Sequence, residues 1–353
     1  MRYREFIRED NEQQKRLSFI VDQMQKNPGI VNQVYRLIKV DIAKAEKNDP
    51  ASMIKPEYTG VERDYTYKGV LPAFIKAIEA TPGDYNDIEE FLKSYGNVSY
   101  INTDALMTDG FKTWDAWLQG QGNVQEDFIS ALYDNLYPIT LSVSGSNRGP
   151  GEVGLALLSP DIQFASVGDL KIDGVEVEVK AESSKGGGRM KNSNADYGQP
   201  NLKAVYNKFK IPKELIPKNL PTGNIKSTAG THFLDIAQQL EQISEGAGTA
   251  YLEELFFGTF KYGDKEMMNT MIKLWKNMDR SNSSVLAQKI SYSNYANVLK
   301  NKGFSKFIFL KKNGKKTLTF DVDDYENYID KFKMQSLAWN DKINGPAVQV
   351  SML

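Results

Sequence analysis

The chain has 353 residues, with 44 basic and 45 acidic side chains, no cysteine and a single histidine, His232. Without cysteine, disulfides and a cysteine nucleophile are excluded, and with only one histidine as well the usual zinc ligand sets cannot be assembled. His232 has no G-x-S-x-G motif beside it and opens an apolar helical pattern, which favours a structural role over a Ser-His-Asp site. The balanced net charge neither favours nor excludes nucleic acid, so the local distribution of charge must decide.

Hydropathy predicts a soluble, cytoplasmic protein with no membrane partner. No apolar run approaches the ~18 residues that a membrane span needs. The first residues, Met-Arg-Tyr-Arg-Glu-Phe-Ile, lack the apolar core of a secretion signal.

The periodicity of apolar residues predicts an α+β fold in four regions. Residues 1–138 have helical spacing, and strands begin at 139–143. A short helix at 152–158, ended by Ser159-Pro160, precedes two strands at 167–172 and 175–181. The predicted regions are a mainly helical N-terminal region (1–138), a strand-rich core with a basic loop (139–230), a helical insertion (231–300), and a returning strand pair with a C-terminal helix and an irregular end (301–353).

The most informative stretch is the pair of strands around Asp173-Gly174, a dipeptide typical of two-residue hairpin loops. With that turn, Ile172 pairs with Val175, and Asp169 lies opposite Glu178. One face is then apolar and packs on the core. The other face carries Asp169, Lys171, Glu176, Glu178 and Lys180.

Two carboxylates directly opposite each other have Cβ atoms ~4.5–5.5 Å apart and repel. A hard divalent cation between them removes that repulsion, and oxygen ligands suit Mg²⁺. The alternative is a solvated strand face on which Lys171 and Glu176 form a surface ion pair.

Asp169 followed by Glu178-Val179-Lys180 resembles the D-xn-[DE]-x-K signature of the restriction-endonuclease-like, or PD-(D/E)xK, nuclease superfamily. The resemblance covers roughly residues 148–190, about an eighth of the chain. Gly168 replaces the proline that names the family, and a Q-x-x-x-Y-type helix motif is not evident. If residues 139–230 are the nuclease core, the remaining core strands must come from the returning strand pair, and the helical region between is a large insertion.

This resemblance implies a Mg²⁺-dependent deoxyribonuclease, with Mn²⁺ as a substitute cofactor. Asp169 and Glu178 would hold the metal, with the Val179 carbonyl. Lys180 would orient the attacking water and stabilise charge on the phosphate. Glu152, on the preceding helix, would hold the same ion through water or help to place a second, unless it only stabilises the helix N-terminus.

A basic segment, residues 185–226, follows the hairpin. It contains nine basic and two acidic residues, which is typical of a phosphate-contacting surface. Tyr197, Tyr206 and Phe209 could stack on bases, although such residues more often pack in a core. The basic residues predicted to contact DNA are Lys185, Arg189, Lys191, Lys203, Lys208 and Lys210.

Two other functions remain open from the sequence. One is a DNA-binding or phage virion-associated protein on a nuclease-like fold without turnover, with virion or packaging components as partners. The other is a dinucleotide-dependent enzyme, because Gly149 to Gly154 match G-x-G-x-x-G, but the following strands alternate in a hairpin and no series of βαβ units follows. Cleavage of both DNA strands would usually require two active sites and would favour a homodimer.

Overall fold

The computed structural model describes residues 2–27, 29–34, 64–65, 67–143, 146–165, 169–182, 188–191, 202–215, 232–259, 302–340 and 345–353, with a few helical residues between 269 and 300. The fold is mixed α+β. The chain forms two compact units. The first contains Met1–Ser183 and Lys306–Phe320, and the second contains Ser184–Ser305 and Asp321–Leu353.

Helices dominate the N-terminal region, as the apolar spacing predicts. One of them, Tyr85–Ser94, begins with a capping box in which Asp84 and Asp87 each accept the other's backbone N–H. None of the described helices has both the length and the hydropathy required to cross a bilayer. Among the residues that the structure describes, the helices with defined bounds are α1 (Arg2–Lys26), α2 (Tyr67–Ala80), α3 (Tyr85–Ser94), α4 (Thr103–Met107), α5 (Glu126–Leu136), α6 (Glu152–Leu158), α7 (Leu202–Lys208), α8 (His232–Ile243), α9 (Ala247–Thr259) and α10 (Tyr325–Tyr328).

The strands that the structure describes form three sheets. The largest belongs to the first unit and has the order β2-β10-β9-β7-β6-β5, and the others have the orders β1-β3-β4 and β11-β12-β8. The strands are β1 (Asp64–Tyr65), β2 (Gly110–Thr113), β3 (Thr140–Val143), β4 (Ser146–Arg148), β5 (Ile162–Phe164), β6 (Leu170–Ile172), β7 (Val175–Ala181), β8 (Gly188–Lys191), β9 (Lys306–Lys311), β10 (Lys316–Asp321), β11 (Phe332–Asn340) and β12 (Gly345–Met352).

The six-stranded sheet joins the predicted hairpin to the predicted returning strands. β7 pairs in parallel with β9, so that Glu178 lies beside Phe307 and Lys180 beside Phe309. β6 pairs antiparallel with β7 on the other side. The N-terminal region, expected to be mainly helical, supplies the edge strand β2, which pairs antiparallel with β10.

The turn between β6 and β7 has the backbone that Asp173-Gly174 favours. Both residues have positive φ, 49° and 87°, as a two-residue hairpin turn of type I′ requires. Glycine reaches this conformation without strain, and aspartate is one of the few other residues that tolerate it. The turn fixes the register of the whole hairpin.

The first unit has one apolar core into which the sheet and the helices both project. Val177 and Val179 of β7 and Ile308 and Leu310 of β9 belong to it, together with the apolar faces of the helices. Because successive side chains of a strand alternate between faces, burying the valines directs Glu178 and Lys180 to the opposite face.

The second unit contains α7, α8, α9 and the three-stranded sheet β11-β12-β8. The helix expected at 322–332 is reduced to α10 flanked by 3₁₀ turns. The irregular C-terminal end was a wrong prediction, because β11 and β12 form an antiparallel hairpin. The register shifts between Met334 and Ser336, so the extra residue breaks the alternation by which a strand is recognised.

Candidate active site

The observed hairpin register is the one that the sequence predicts. Leu170 pairs with Val177, Lys171 with Glu176, and Ile172 with Val175. Asp169 comes directly before β6, and Glu178 is the next residue of β7 after the paired segment. The two carboxylates are therefore carried to one end of the hairpin, on the face opposite the buried valines.

Lys180 connects the two carboxylates. Its Nζ lies 3.3 Å from Asp169 Oδ2 and 3.0 Å from the Val179 carbonyl oxygen, and it also donates to Glu178 Oε1. Asp169 Oδ2 additionally accepts the Val179 N–H at 3.0 Å. Lys180 therefore bridges Asp169 and Glu178, and both Asp169 and Lys180 contact the main chain of Val179.

The cluster is shielded from solvent. The side chains of Asp169, Glu178 and Lys180 are only 16%, 12% and 18% exposed. On the same hairpin, Lys171 is exposed, and Glu176 carries a buried Oε2 with no hydrogen-bond partner among the described residues. The expected surface pair of Lys171 with Glu176 is not among the described ion pairs. A fully solvated strand face therefore does not describe this hairpin.

Glu152, the first residue of α6, lies beside the cluster. It is 6% exposed, and its Oε1 accepts the Gly149 N–H at 2.9 Å. Its Oε2 is buried without a hydrogen-bond partner among the described residues. Burial raises the pKa of Glu152 well above its ordinary value, and the charge of Asp169 raises it further, whereas Lys180, the Gly149 N–H and Arg148 act in the opposite direction. We call Glu152, Asp169, Glu178 and Lys180 the carboxylate–lysine cluster.

Arg148 is a neighbour that the sequence did not single out. Its side chain is 4% exposed, with Nη1 3.8 Å from Asp169 Oδ1. Nη2 donates to the Ala165 carbonyl at 3.0 Å, and the guanidinium lies 5.1 Å from the centre of the Phe164 ring. No local pattern marks such a residue, because its partners lie beyond the helix that follows it.

The glycines before α6 serve close packing. A Cβ on Gly149 would lie 2.7 Å from Glu152 Oε1, and one on Gly154 would lie 3.0 Å from the Tyr133 ring. Gly151 has φ 83°, and a Cβ there would lie 2.6 Å from Leu310. Close packing against neighbouring side chains therefore accounts for glycine at these three positions. The strands that follow, β5, β6 and β7, are antiparallel, which further disfavours the dinucleotide alternative.

Tyr137, the residue that follows α5, fixes the position of this glycine-rich turn. The Gly151 N–H donates to the Tyr137 carbonyl at 2.8 Å. The Tyr137 hydroxyl donates to the carbonyls of Glu182 and Leu310, at 3.0 and 3.1 Å. Tyr137 therefore ties the turn that carries Glu152 to the strands β7 and β9.

The predicted DNA-contacting residues lie in the second unit or outside the described residues. Lys185 is outside them, as are the side chains of Arg189, Lys191 and Lys203. Lys208 is exposed and forms a 2.6 Å ion pair with Glu254, and Lys210 is exposed. Of the aromatic residues proposed for base stacking, Tyr206 is buried and Phe209 packs edge-to-face on Tyr251, which favours packing roles, whereas Tyr197 is outside the described residues.

No protein-family model, curated protein or solved structure matches this chain. Its function has to be inferred from the residues of the site and from their contacts.

Proposed function

We propose that this protein is a Mg²⁺-dependent DNA endonuclease that hydrolyses phosphodiester bonds, on a restriction-endonuclease-like core formed by α6, the β6–β7 hairpin and β9. The observation that carries the proposal is the contact of Lys180 Nζ with Asp169, Glu178 and the Val179 carbonyl, beside the buried Glu152. These residue types, in this order along the chain, are those of the D-xn-[DE]-x-K signature.

The residues fit a hard divalent cation. The donors are carboxylate oxygens of Asp169 and Glu178 and the main-chain carbonyl of Val179, which are the ligands that Mg²⁺ and Mn²⁺ prefer. The buried Glu152 Oε2, which lacks a hydrogen-bond partner among the described residues, is an additional acceptor with an uncompensated desolvation cost. A bound Mg²⁺ would supply Lewis-acid polarisation of the phosphate and a lowered pKa for a water molecule.

Lys180 has the central role in the proposed chemistry. Its ammonium can donate three hydrogen bonds, and in the structure it donates to Asp169, Glu178 and the Val179 carbonyl. Turned towards substrate, the same group would hold the attacking water or stabilise the negative charge that grows on the phosphate oxygens. Glu178, two residues earlier on the same strand face, orients this ammonium.

The basic segment is the proposed source of DNA affinity. Its excess of positive charge suits contact with DNA phosphates, and such contact does not depend on the DNA sequence. Virion or packaging components remain partners of the alternative function, in which the protein binds DNA without cutting it. Both functions predict DNA binding, so cleavage distinguishes them.

The test uses purified full-length protein with supercoiled plasmid, linear duplex and branched DNA, each with Mg²⁺, Mn²⁺ or EDTA. We expect metal-dependent nicking or linearisation of the closed circular plasmid, which has no ends and therefore reports endonuclease action. Conversion in EDTA, or binding without cleavage of all three substrates in Mg²⁺ and Mn²⁺, would contradict the proposal. The second outcome would support the DNA-binding alternative.

A further inference from the structure

Arg148 contacts both ends of the connection between β5 and β6. Its Nη2 donates to the carbonyl of Ala165, directly after β5, and its Nη1 faces the carboxylate of Asp169, directly before β6. These two residues are also joined by a hydrogen bond from the Ala165 N–H to the Asp169 carbonyl, at 3.3 Å. One buried guanidinium therefore bridges Ala165 and Asp169, the residues that flank the β5–β6 connection.

The two oxygens of the Asp169 carboxylate face different partners. Oδ2 accepts the Val179 N–H and contacts Lys180 Nζ, whereas Oδ1 faces Arg148. With partners on both sides, the carboxylate plane is fixed relative to β7. Removing the partner of Oδ1 would allow the carboxylate to rotate away from the Val179 N–H.

Burial distinguishes Arg148 from a phosphate-binding arginine. With 4% of its side chain exposed and its guanidinium over the Phe164 ring, it does not present its donors to a ligand in solvent. An arginine remains charged at any physiological pH and offers a planar fork of donors, which suits simultaneous contact with a carbonyl and a carboxylate. A buried charge of this kind is stable only with such partners.

We propose that Arg148 is a positioning residue that orients the Asp169 carboxylate towards the Val179 N–H and Lys180, and thereby prepares it to hold a divalent cation. The catalytic consequence rests on the function proposed above. The structural consequence, the state of the Val179 N–H, does not.

The test combines NMR with kinetics on the full-length protein. Valine-selective ¹⁵N labelling, with Val179 assigned by its replacement with isoleucine, reports the hydrogen bond of its amide to Asp169. We expect Arg148→Met to shift the Val179 amide proton upfield, towards its position in Asp169→Ala, and to accelerate its hydrogen exchange. Arg148→Lys keeps the charge but not the planar fork of donors. Its Val179 amide shift and exchange rate should lie between those of wild type and Arg148→Met.

Cleavage kinetics supply the second measurement. At saturating Mg²⁺, kcat of Arg148→Met should fall about 100-fold, with KM for DNA unchanged within about twofold. KM should hold because a buried residue that orients a carboxylate does not itself contact the substrate. Arg148→Lys should restore part of kcat. If Arg148 were purely structural, Arg148→Met would lower thermal stability without lowering kcat selectively over KM.

Arg16 offers a matched control. It lies in the same unit, and its guanidinium also bonds to main-chain carbonyls, those of Gly83 and Thr81, but it has no described contact with the carboxylate–lysine cluster. Arg16→Met should lower the melting temperature and leave the Val179 amide and kcat unchanged.

Each outcome has a separate meaning. An unmoved Val179 amide in Arg148→Met, or an equal displacement in Arg16→Met, overturns the positioning role even if the protein cuts DNA. A displaced Val179 amide in a protein that never cuts DNA leaves the positioning role intact and removes the proposed function.

Discussion

The carboxylate–lysine cluster and the basic segment were both predicted as functional, and they differ in how charge is held. In the cluster, Asp169, Glu178 and Lys180 are mostly buried, and Lys180 contacts both carboxylates. In the basic segment, the described lysines are exposed, and Lys208 is paired with Glu254 across the surface. The first arrangement depends on exact geometry, so single substitutions should have large effects. The second depends on summed charge, so its effects should be small, additive and sensitive to salt.

The largest effect is expected from the carboxylates. Asp169→Asn and Glu178→Gln each remove a negative oxygen ligand while keeping the side-chain shape, and should lower the Mg²⁺-dependent cleavage rate by about 10²–10³-fold or more. The measurement is plasmid nicking under single-turnover conditions. Lys171→Ala, an exposed change on the same hairpin, is the control and should cut at the wild-type rate. Comparable losses in all three variants would assign them to hairpin stability rather than to chemistry.

Lys180→Met should separate catalysis from metal binding. Cleavage should fall about as far as in the carboxylate variants, but Mn²⁺ affinity, measured by calorimetry without DNA, should rise about tenfold. The ammonium contacts the same oxygens that would ligate the cation, and its removal relieves charge repulsion. Tenfold is about 1.4 kcal/mol, less than the ~4 kcal/mol between two unit charges 4 Å apart at an effective dielectric constant of 20. Unchanged or weaker Mn²⁺ binding would contradict this arrangement.

Glu152→Gln should stabilise the protein at neutral pH. The pKa of Glu152 is raised in the folded state by burial first and by Asp169 second. Between its ordinary pKa and the raised value, the folded state binds more protons than the unfolded state, so wild-type stability falls as pH rises through that window. Glutamine keeps an acceptor for the Gly149 N–H without the charge.

The measurement is thermal unfolding in EDTA at a series of pH values. The stabilisation by Glu152→Gln should be largest at neutral pH and should disappear near pH 4, where the wild-type carboxyl is protonated in both states. Equal melting temperatures of the two proteins at neutral pH would show that folding does not raise the pKa of Glu152. Cleavage by Glu152→Gln should be weaker than by wild type, as expected where a strained site sacrifices stability for function.

The difference between the two regions also explains what the sequence could predict. The hairpin register follows from local information, because Asp173-Gly174 specifies the turn and the alternating valines specify the buried face. The helix at Glu152–Leu158 likewise ends where Ser159-Pro160 requires. Arg148 escaped prediction because its role depends on Ala165 and Asp169, which only the folded chain brings to it.

Short or irregular strands were the other failures. β5 has three residues, too few for a periodic pattern, and β4 lies between the strand predicted at 139–143 and the helix predicted at 152–158, where no strand was predicted. The sequence has Asn344-Gly345, a turn signal, immediately before the rest of β12. The shift in register between Met334 and Ser336 lies within β11, and it breaks the alternation that would have identified this strand.

The basic segment should respond to charge removal in small steps. Neutralising Lys185, Arg189 and Lys191 together should flatten the log–log dependence of DNA affinity on salt, by ~0.9 for each phosphate that the protein no longer neutralises. Lys210→Ala should reduce the slope more than Lys208→Ala, because Lys208 is already partly neutralised by Glu254. Fluorescence anisotropy with a labelled duplex in EDTA measures binding without cleavage. A slope that is unchanged in the triple variant would place the DNA-binding surface elsewhere.

The smallest effect concerns Glu241, a carboxylate with an environment opposite to that of Glu152. Its Oε1 accepts the Gly246 N–H at 2.8 Å, and its Oε2 accepts the N–H groups of Gly248 and Thr249 at 2.8 and 3.2 Å. These are the donors that α9 leaves unpaired at its start, so Glu241 acts as a helix cap. The hydrogen bond from Gly246 is the main cause that lowers the pKa of Glu241.

Glu241→Ala should cost about 1 kcal/mol of stability, typical of removing a helix cap at a site that remains mostly open to water, and should leave cleavage unchanged. Because the folded-state pKa is lowered, this contribution is present above the ordinary pKa of about 4.5 and disappears as pH falls through the folded value. Chemical denaturation at neutral pH, where the contribution of Glu241 to stability is present, and near pH 3, where it is reduced, measures this change. Glu241 has its acceptors used by main-chain donors, whereas Glu152 keeps a buried oxygen without a described partner. A cleavage defect in Glu241→Ala as large as that in Glu152→Gln would remove this distinction between a structural and a functional carboxylate.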